Sequence, residues 1–453
     1  MEDRDYVFHR DFFKEYPLIA YGKGVYLFDE DGRRYLDACS GAVAANLGHG
    51  RTEIAAAMQE QASKAAFVHT LRFETSVLHE LAEKTARLAP KPLNTVYFTS
   101  GGSEANESAI KLSRQLHHDS GKPQKNIVIG RWQSYHGNTY GSLSAGGDIK
   151  RRQLYQPNLV HFSHIHPPHC LRCPYQRKLT SCNEEKNWSC AASLESMILE
   201  LGPQNVSAFI AEPITGSQLG ASVPPGQYLK EIRKICDRYD VIMIADEVMT
   251  GFGRTGCNFA IEHWDVVPDI ITFGKGISAG YAPLAGMIVH DNLAGLLKEH
   301  SNGVFQHGYT YSGHPVSAAA GLAALAVYEK EAILENVKRM GAHLVLKLEE
   351  LKEKIPYIYH IRGRGLLIGV EFARGRSGIP FPPHIKLAEK INERAMELGA
   401  VFYPGSGSVN GVRGDHILIC PPLSVKAEEI DEALGILEKA VLDVVMEEGN
   451  QNG

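Results

Sequence analysis

No run of apolar residues in this chain reaches the ~18 that a membrane-crossing helix requires. An excess of either charge is also missing. The 47 Lys and Arg stand against 52 Asp and Glu, a net charge of −5, with a pI near 6.5. This gives no bulk attraction to nucleic acid or to an anionic membrane surface, and a small-molecule partner is the natural expectation. The opening Met1-Glu2-Asp3-Arg4-Asp5 lacks the basic start and apolar core of a signal peptide, which points to the cytoplasm. Internal repeats are absent. So is the G-x-x-x-x-G-K-[ST] loop that cradles nucleotide phosphates: Gly274-Lys275 is followed by Gly276, and Asp269 holds the place of the first glycine. Cysteine is sparse outside one stretch, which carries Cys170, Cys173, Cys182 and Cys190. The C-x-x-C spacing of the first pair suits thiolate metal ligation, but the wider second pair does not match a usual zinc-knuckle spacing. Reduced thiols in a surface insertion are the expectation, with no metal site assigned.

What is present is ordinary for a globular protein: 453 residues, 44% hydrophobic and 22% charged, enough for two domains and a large core. Gly24-Val25-Tyr26-Leu27-Phe28-Asp29 and Arg33-Arg34-Tyr35-Leu36-Asp37, joined through Asp31-Gly32, read as a hairpin. Helical periodicity begins near residue 53. Strand candidates then alternate with helices at residues 96–98, 127–129, 159–162, Val206–Ala211, 241–245, Ile270–Phe273 and 284–289. Such alternation implies an α/β fold, a mainly parallel seven-stranded sheet flanked by helices. A long helix is expected over residues 316–352, followed by strands at 366–372 and 417–419, a helix at 385–398 and a terminal helix from about 427 to 447, with the last few residues disordered. The N-terminal hairpin is too small to stand alone. We therefore expect it to join the C-terminal region in a smaller discontinuous α+β domain (1–60 and 326–453) beside a large domain (61–325).

Two strand ends carry the chemistry. One apolar run stops at Asp246-Glu247-Val248, the other at Gly274-Lys275-Gly276. Strand carboxyl ends line the crevice where α/β sheets bind ligands, so an acid and an amine could face one molecule from opposite sides. Without the phosphate loop, a nucleotide site is disfavoured. Pyridoxal phosphate fits: its ring nitrogen calls for a buried acid, Asp246, and its aldehyde for a lysine, Lys275. Its phosphate needs free N–H groups at a helix start, which Thr99-Ser100-Gly101-Gly102-Ser103-Glu104-Ala105-Asn106 can supply. Tyr135, in Ser134-Tyr135-His136-Gly137, and Val248 could stack on the two ring faces, and Glu212 closes the strand Val206–Ala211 at the same edge. Each motif alone also reads blandly, as a capped helix, a loop or a strand-end acid.

Together these residues resemble the class III, or ω-aminotransferase, family of fold type I pyridoxal-phosphate enzymes. The resemblance runs from the Gly24-Val25-Tyr26-Leu27 hairpin and Asn46-Leu47-Gly48-His49-Gly50 through Ser100-Gly101-Gly102-Ser103-Glu104-Ala105, Tyr135-His136-Gly137, Ala211-Glu212-Pro213, Asp246-Glu247-Val248 and Phe273-Gly274-Lys275-Gly276 to His307-Gly308-Tyr309-Thr310-Tyr311-Ser312-Gly313-His314-Pro315 and Gly363-Arg364-Gly365-Leu366. It implies Lys275 as the Schiff-base lysine and proton shuttle, Asp246 as partner of the ring nitrogen, Tyr135 and Val248 as the ring sandwich, and Gly102 and Ser103 on the phosphate. Gly101, His136 and Glu212 join the cofactor contacts. Thr310 would reach the phosphate in a neighbouring subunit, implying a homodimer, alone or paired into a tetramer. The implied reaction moves an amino group from an amine or ω-amino acid to a keto acid such as pyruvate. An aminomutase, a decarboxylase or a phospholyase of the family would keep the same cofactor residues. For the substrate, Arg413, shortly before Cys420-Pro421-Pro422-Leu423, and Arg72 are rival carboxylate anchors. Val43 stands where several relatives acting on bulky aromatic amines carry tryptophan.

Overall fold

Residues 6–451 are described by the computed structural model; residues 1–5 and the extreme C-terminus, for which the sequence suggests disorder, lie outside the described residues. The central sheet has seven strands, in spatial order Leu93–Thr99, Ala285–His290, Ile270–Phe273, Ile242–Asp246, Val206–Ala211, Ile127–Arg131 and Ser163–Ile165. The last five pair in parallel, whereas Ala285–His290 runs antiparallel to both neighbours. Every residue of Val206–Ala211, Ile242–Asp246 and Ile270–Phe273 is buried, as continuous apolar strands in a sheet covered on both faces must be. Alternation sorts their side chains into two cores. Phe209, Met243, Ile271 and Phe273 pack on one face; Ala208, Ile210, Ile244 and Ile270 pack on the other.

The N-terminal strands Ile19–Lys23, Tyr26–Asp29 and Arg34–Asp37 form an antiparallel ladder. Its inner edge is extended in parallel by Ala400–Val401 from the far end of the chain. A second sheet, in the order Ile358–Arg364, Leu367–Phe372, Arg413–Ile419, Tyr403–Val409, packs with the helices Ile333–Lys354, Leu387–Leu398 and Ala427–Gln451. One hydrophobic cluster holds Val25 and Leu36 together with Val337, Leu344, Ile391 and Leu437.

Two local expectations are corrected. The strand expected at 159–162 is instead Ser163–Ile165, which pairs with Ile129, Gly130 and Arg131. Hydropathy favoured Leu159, Val160 and Phe162, but the strand buries His164, whose Nε2 lies 3.0 Å from the Gly146 carbonyl and whose ring stacks on Trp132. The single helix expected over 316–352 is two, Pro315–Lys330 and Ile333–Lys354, broken where Ala332 turns left-handed at φ 49°. No glycine or proline marks the break. The turn buries Ile333 in the core, and that burial offsets a left-handed alanine costing about 1–2 kcal/mol.

Candidate active site

The parallel strands all deliver their carboxyl ends to one edge, and there the sequence motifs converge. Gly102, Ser103, Tyr135, His136, Glu212, Asp246, Val248 and Lys275 line one cavity of roughly 150 Å³. A larger cavity of about 630 Å³, lined by Trp132, Arg152, His169 and Arg172 among others, contains none of these residues.

Asp246 ends its strand 4% exposed. Its Oδ2 accepts a hydrogen bond from Asn106 Nδ2 at 2.8 Å and faces His136 Nδ1 at 2.7 Å, while Oδ1 accepts the Val248 N–H at 3.0 Å. A carboxylate has about four acceptor positions, so one remains for a donor in the cavity. Asn106 is itself fixed: its Nδ2 also donates to the His136 carbonyl at 2.7 Å, and its Oδ1 accepts from Thr272 Oγ1 at 2.7 Å. Sequence reasoning assigned Asn106 no role, although it stands one helical turn inside the phosphate motif; its task depends on a strand 166 positions away.

Lys275 follows its strand at φ 47°, a left-handed conformation that a non-glycine residue holds only at a cost. Part of its surface opens to the cavity. Burial of the amine pulls its pKa below the usual lysine value, opposed by Cys420, Asp246 and Glu212 and reinforced by Arg254. Glu212 accepts the Gly216 N–H at 3.1 Å and the Tyr135 N–H at 3.3 Å, and burial raises its carboxyl pKa. The buried Arg131 donates to the Glu212 carbonyl at 2.6 Å and holds that strand end in place.

The helix Gly102–Asp119 starts without a side-chain cap at Gly101, leaving its first N–H groups available, as helix starts do. Close approach explains two glycines here. A Cβ on Gly102 would sit 2.7 Å from Val248 Cγ1, and one on Gly137 would sit 2.3 Å from Ser103 Oγ. The remaining expected residues stand apart from the cavity. Val43 is wholly buried at φ 60° in the core with Cys39 and Phe252. Arg72 is exposed, its guanidinium reaching, among the described residues, only the Leu71 carbonyl at 3.5 Å, and Arg413 is exposed where its strand pairs with Val409. Thr310 is exposed as well.

Cys170, Cys173, Cys182 and Cys190 are all free thiols and line one narrow cleft with Tyr175 and Trp188. Burial, with the neighbouring thiols adding to it, raises the Cys190 pKa to about 12. Among the described residues, no group of three or more His, Cys, Asp or Glu is arranged to hold a metal ion.

A buried acid, a desolvated amine and an uncapped helix start around one cavity define a site for a phosphorylated carbonyl cofactor. The family model for class III aminotransferases matches residues 14–441. The chain is 37% identical to the uncharacterised aminotransferase YodT of Bacillus subtilis, covering 95% of this chain and 96% of that one. It is 35% identical to the putrescine–pyruvate aminotransferase of Pseudomonas aeruginosa, over 94% and 90%. A transaminase from the marine bacterium Virgibacillus superposes with a TM-score of 0.89 at 36% identity, over 96% and 94% of the two chains. A PMP-bound aminotransferase from Vibrio fluvialis does so with 0.88 at 31% identity, over 95% and 93%. The chain belongs to the class III aminotransferase family: it is a transaminase with pyridoxal phosphate as cofactor and the fold of the type I enzymes. The residues present fit that cofactor, since Asp246 keeps an acceptor position, the amine faces the same cavity, and Gly102 lets Val248 approach.

Proposed function

We propose that the enzyme transfers an amino group from an amine or ω-amino acid donor to a keto acid such as pyruvate, with Lys275 as the covalent anchor and the proton carrier. The observation that carries this is the gathering of Lys275, Asp246 and the Gly102–Ser103 helix start around one cavity. When bound, the cofactor supplies an electron sink for the substrate carbon. Asp246, held by Asn106, His136 and the Val248 N–H, would offer its remaining acceptor position to the ring nitrogen. Tyr135 and Val248 would flank the ring, Gly101, Gly102 and Ser103 would receive the phosphate, and Glu212 and His136 would complete the wall. Burial of Lys275 shifts its balance toward the neutral amine, the form suited to taking a proton from the donor carbon and returning it.

A donor panel run with pyruvate and with 2-oxoglutarate tests the reading. Carbonyl product should exceed one equivalent per active site only with an acceptor present, and continued turnover without acceptor would indicate lyase chemistry instead. Lys275→Ala should abolish turnover.

Homodimerisation, alone or paired into a tetramer, is supported by the exposure of Thr310 and by the exposed apolar side chains Phe67, Leu71, Phe73 and Tyr311. The shared core of residues from both chain ends supports 1–60 and 326–453 as one small domain beside 61–325. Among the described residues no helix is long and apolar enough to cross a membrane, and eight free cysteines agree with the reducing cytoplasm.

A further inference from the structure

Carboxylate recognition has no cation in the cavity beyond Lys275: no arginine lines it, and Arg72 and Arg413 make no hydrogen bond or ring contact with its lining. A third arginine stands against one of its wall residues. The Arg151 guanidinium carbon lies 5.0 Å from the centroid of the Tyr135 ring, and Tyr135 is part of the cavity wall.

Resting on the aminotransferase reading above, we propose that Arg151 receives the distal carboxylate of an ω-amino acid donor and that Asp148 positions it. Asp148 caps the helix Ile149–Tyr155, its Oδ1 accepting the Arg151 N–H at 3.2 Å, while its Oδ2 takes Arg151 Nε at 2.8 Å. One acid therefore fixes both the backbone and the inner edge of the guanidinium. The two terminal nitrogens of Arg151 have no hydrogen-bond partner among the described residues, and the side chain is 36% exposed. That leaves a planar fork, matched to a carboxylate by two parallel hydrogen bonds. The adjacent Lys150 is occupied by Ser406 Oγ at 2.8 Å, which leaves Arg151 as the open cation of this helix turn. Its field acts on the Tyr135 and Tyr403 hydroxyls alike. Arg10 adds positive charge at Tyr135, with Asp246 and Asp148 as the acids there. A diamine would bring an ammonium toward this cation and be disfavoured; an ω-amino carboxylate would be held.

The test uses the holoenzyme in the donor half-reaction, without acceptor, following the cofactor absorbance with 4-aminobutanoate, n-butylamine and butane-1,4-diamine. In Arg151→Met the preference for 4-aminobutanoate over n-butylamine should fall about 10- to 100-fold, the range of one charge-assisted contact. Arg151→Lys should recover part of it, since charge returns without the fork. Calorimetric titration with butanoate, which cannot react, should show weaker binding in Arg151→Met than in the wild type. An unchanged donor preference, an equal loss on acid and amine, or undiminished butanoate binding would overturn the assignment. The butanoate arm decides the role of Arg151 even if no donor changes the wild-type spectrum, a result that would instead defeat the reading of terminal amines and ω-amino acids as donors.

Discussion

Asp246 works through the company it keeps. Its carboxylate must stay charged and aimed into the cavity, and Asn106, His136 and the Val248 N–H supply three of its contacts. Replacing it with asparagine keeps the shape and removes the charge, so kcat should fall about 10²- to 10⁴-fold with cofactor still bound. Asn106→Ala removes three side-chain hydrogen bonds, of which the charge-assisted one to Asp246, about 1.5–3 kcal/mol, bears on the site, and should lower kcat about 10- to 100-fold with little change in KM; an effect confined to KM would show that Asn106 contacts the substrate instead. The difference between the two residues explains what was legible beforehand. Asp246 and Lys275 are marked by chain-local signals, apolar strands that stop at a charged residue. Asn106 looks like any polar helix residue until the strand bearing Thr272 is laid beside it, and Arg151 gains meaning only from Asp148 below it and Tyr135 beside it. Val43, Arg72 and Arg413 show the converse: a motif position locates a residue along the chain but does not say where its side chain goes.

At the level of elements, the segment after the strand Ile242–Asp246 is held by the next residue, Glu247. This carboxylate is fully buried and accepts the N–H groups of Ala260 at 2.9 Å and Ile261 at 2.7 Å, with Thr250 Oγ1 as a further donor. Burial raises its pKa to about 7 despite these bonds. Between the ordinary glutamate value and 7 the folded protein binds more protons than the unfolded chain, so this group's contribution to stability declines as pH rises through that window and its cost is complete above it. Glu247→Gln cannot ionise. The stability of the wild type relative to this variant should therefore fall from pH 5 to pH 8, by up to about 3 kcal/mol, read as the shift between their urea midpoints at each pH; a pH-independent difference would contradict the buried-acid account. Elements with continuous burial, such as Val206–Ala211 and Ile270–Phe273, were readable to the residue because apolar content alone marks them. Ser163–Ile165 and the break at Ala332 were not, since a strand holding a hydrogen-bonded histidine and a helix break without glycine or proline are decided by tertiary partners.

Over the whole molecule, the site depends on chain segments that meet only in the folded state, and Arg254 joins them. It is fully buried and donates to the Leu366 carbonyl at 3.0 Å, the Pro421 carbonyl at 2.6 Å, Asn46 Oδ1 at 2.7 Å and Ser40 Oγ at 3.3 Å. Those partners come from the N-terminal segment and from two places in the C-terminal region, while Arg254 itself follows the strand that ends in Asp246. Burial lowers its pKa to about 10, leaving it charged at neutral pH. Lys275 lies close enough for this charge to depress its own pKa. Arg254→Met would keep much of the volume but leave several buried acceptors unpaired, each costing about 1–3 kcal/mol. The loss should therefore reach at least about 3 kcal/mol, seen as a lowered melting temperature. Removing a neighbouring positive charge should also raise the Lys275 pKa. In the cofactor-free protein, the pH dependence of Lys275 modification by an amine-reactive reagent should then move to higher pH. A melting temperature within a degree of the wild type would mean that the chain ends are held to the large sheet by apolar packing alone.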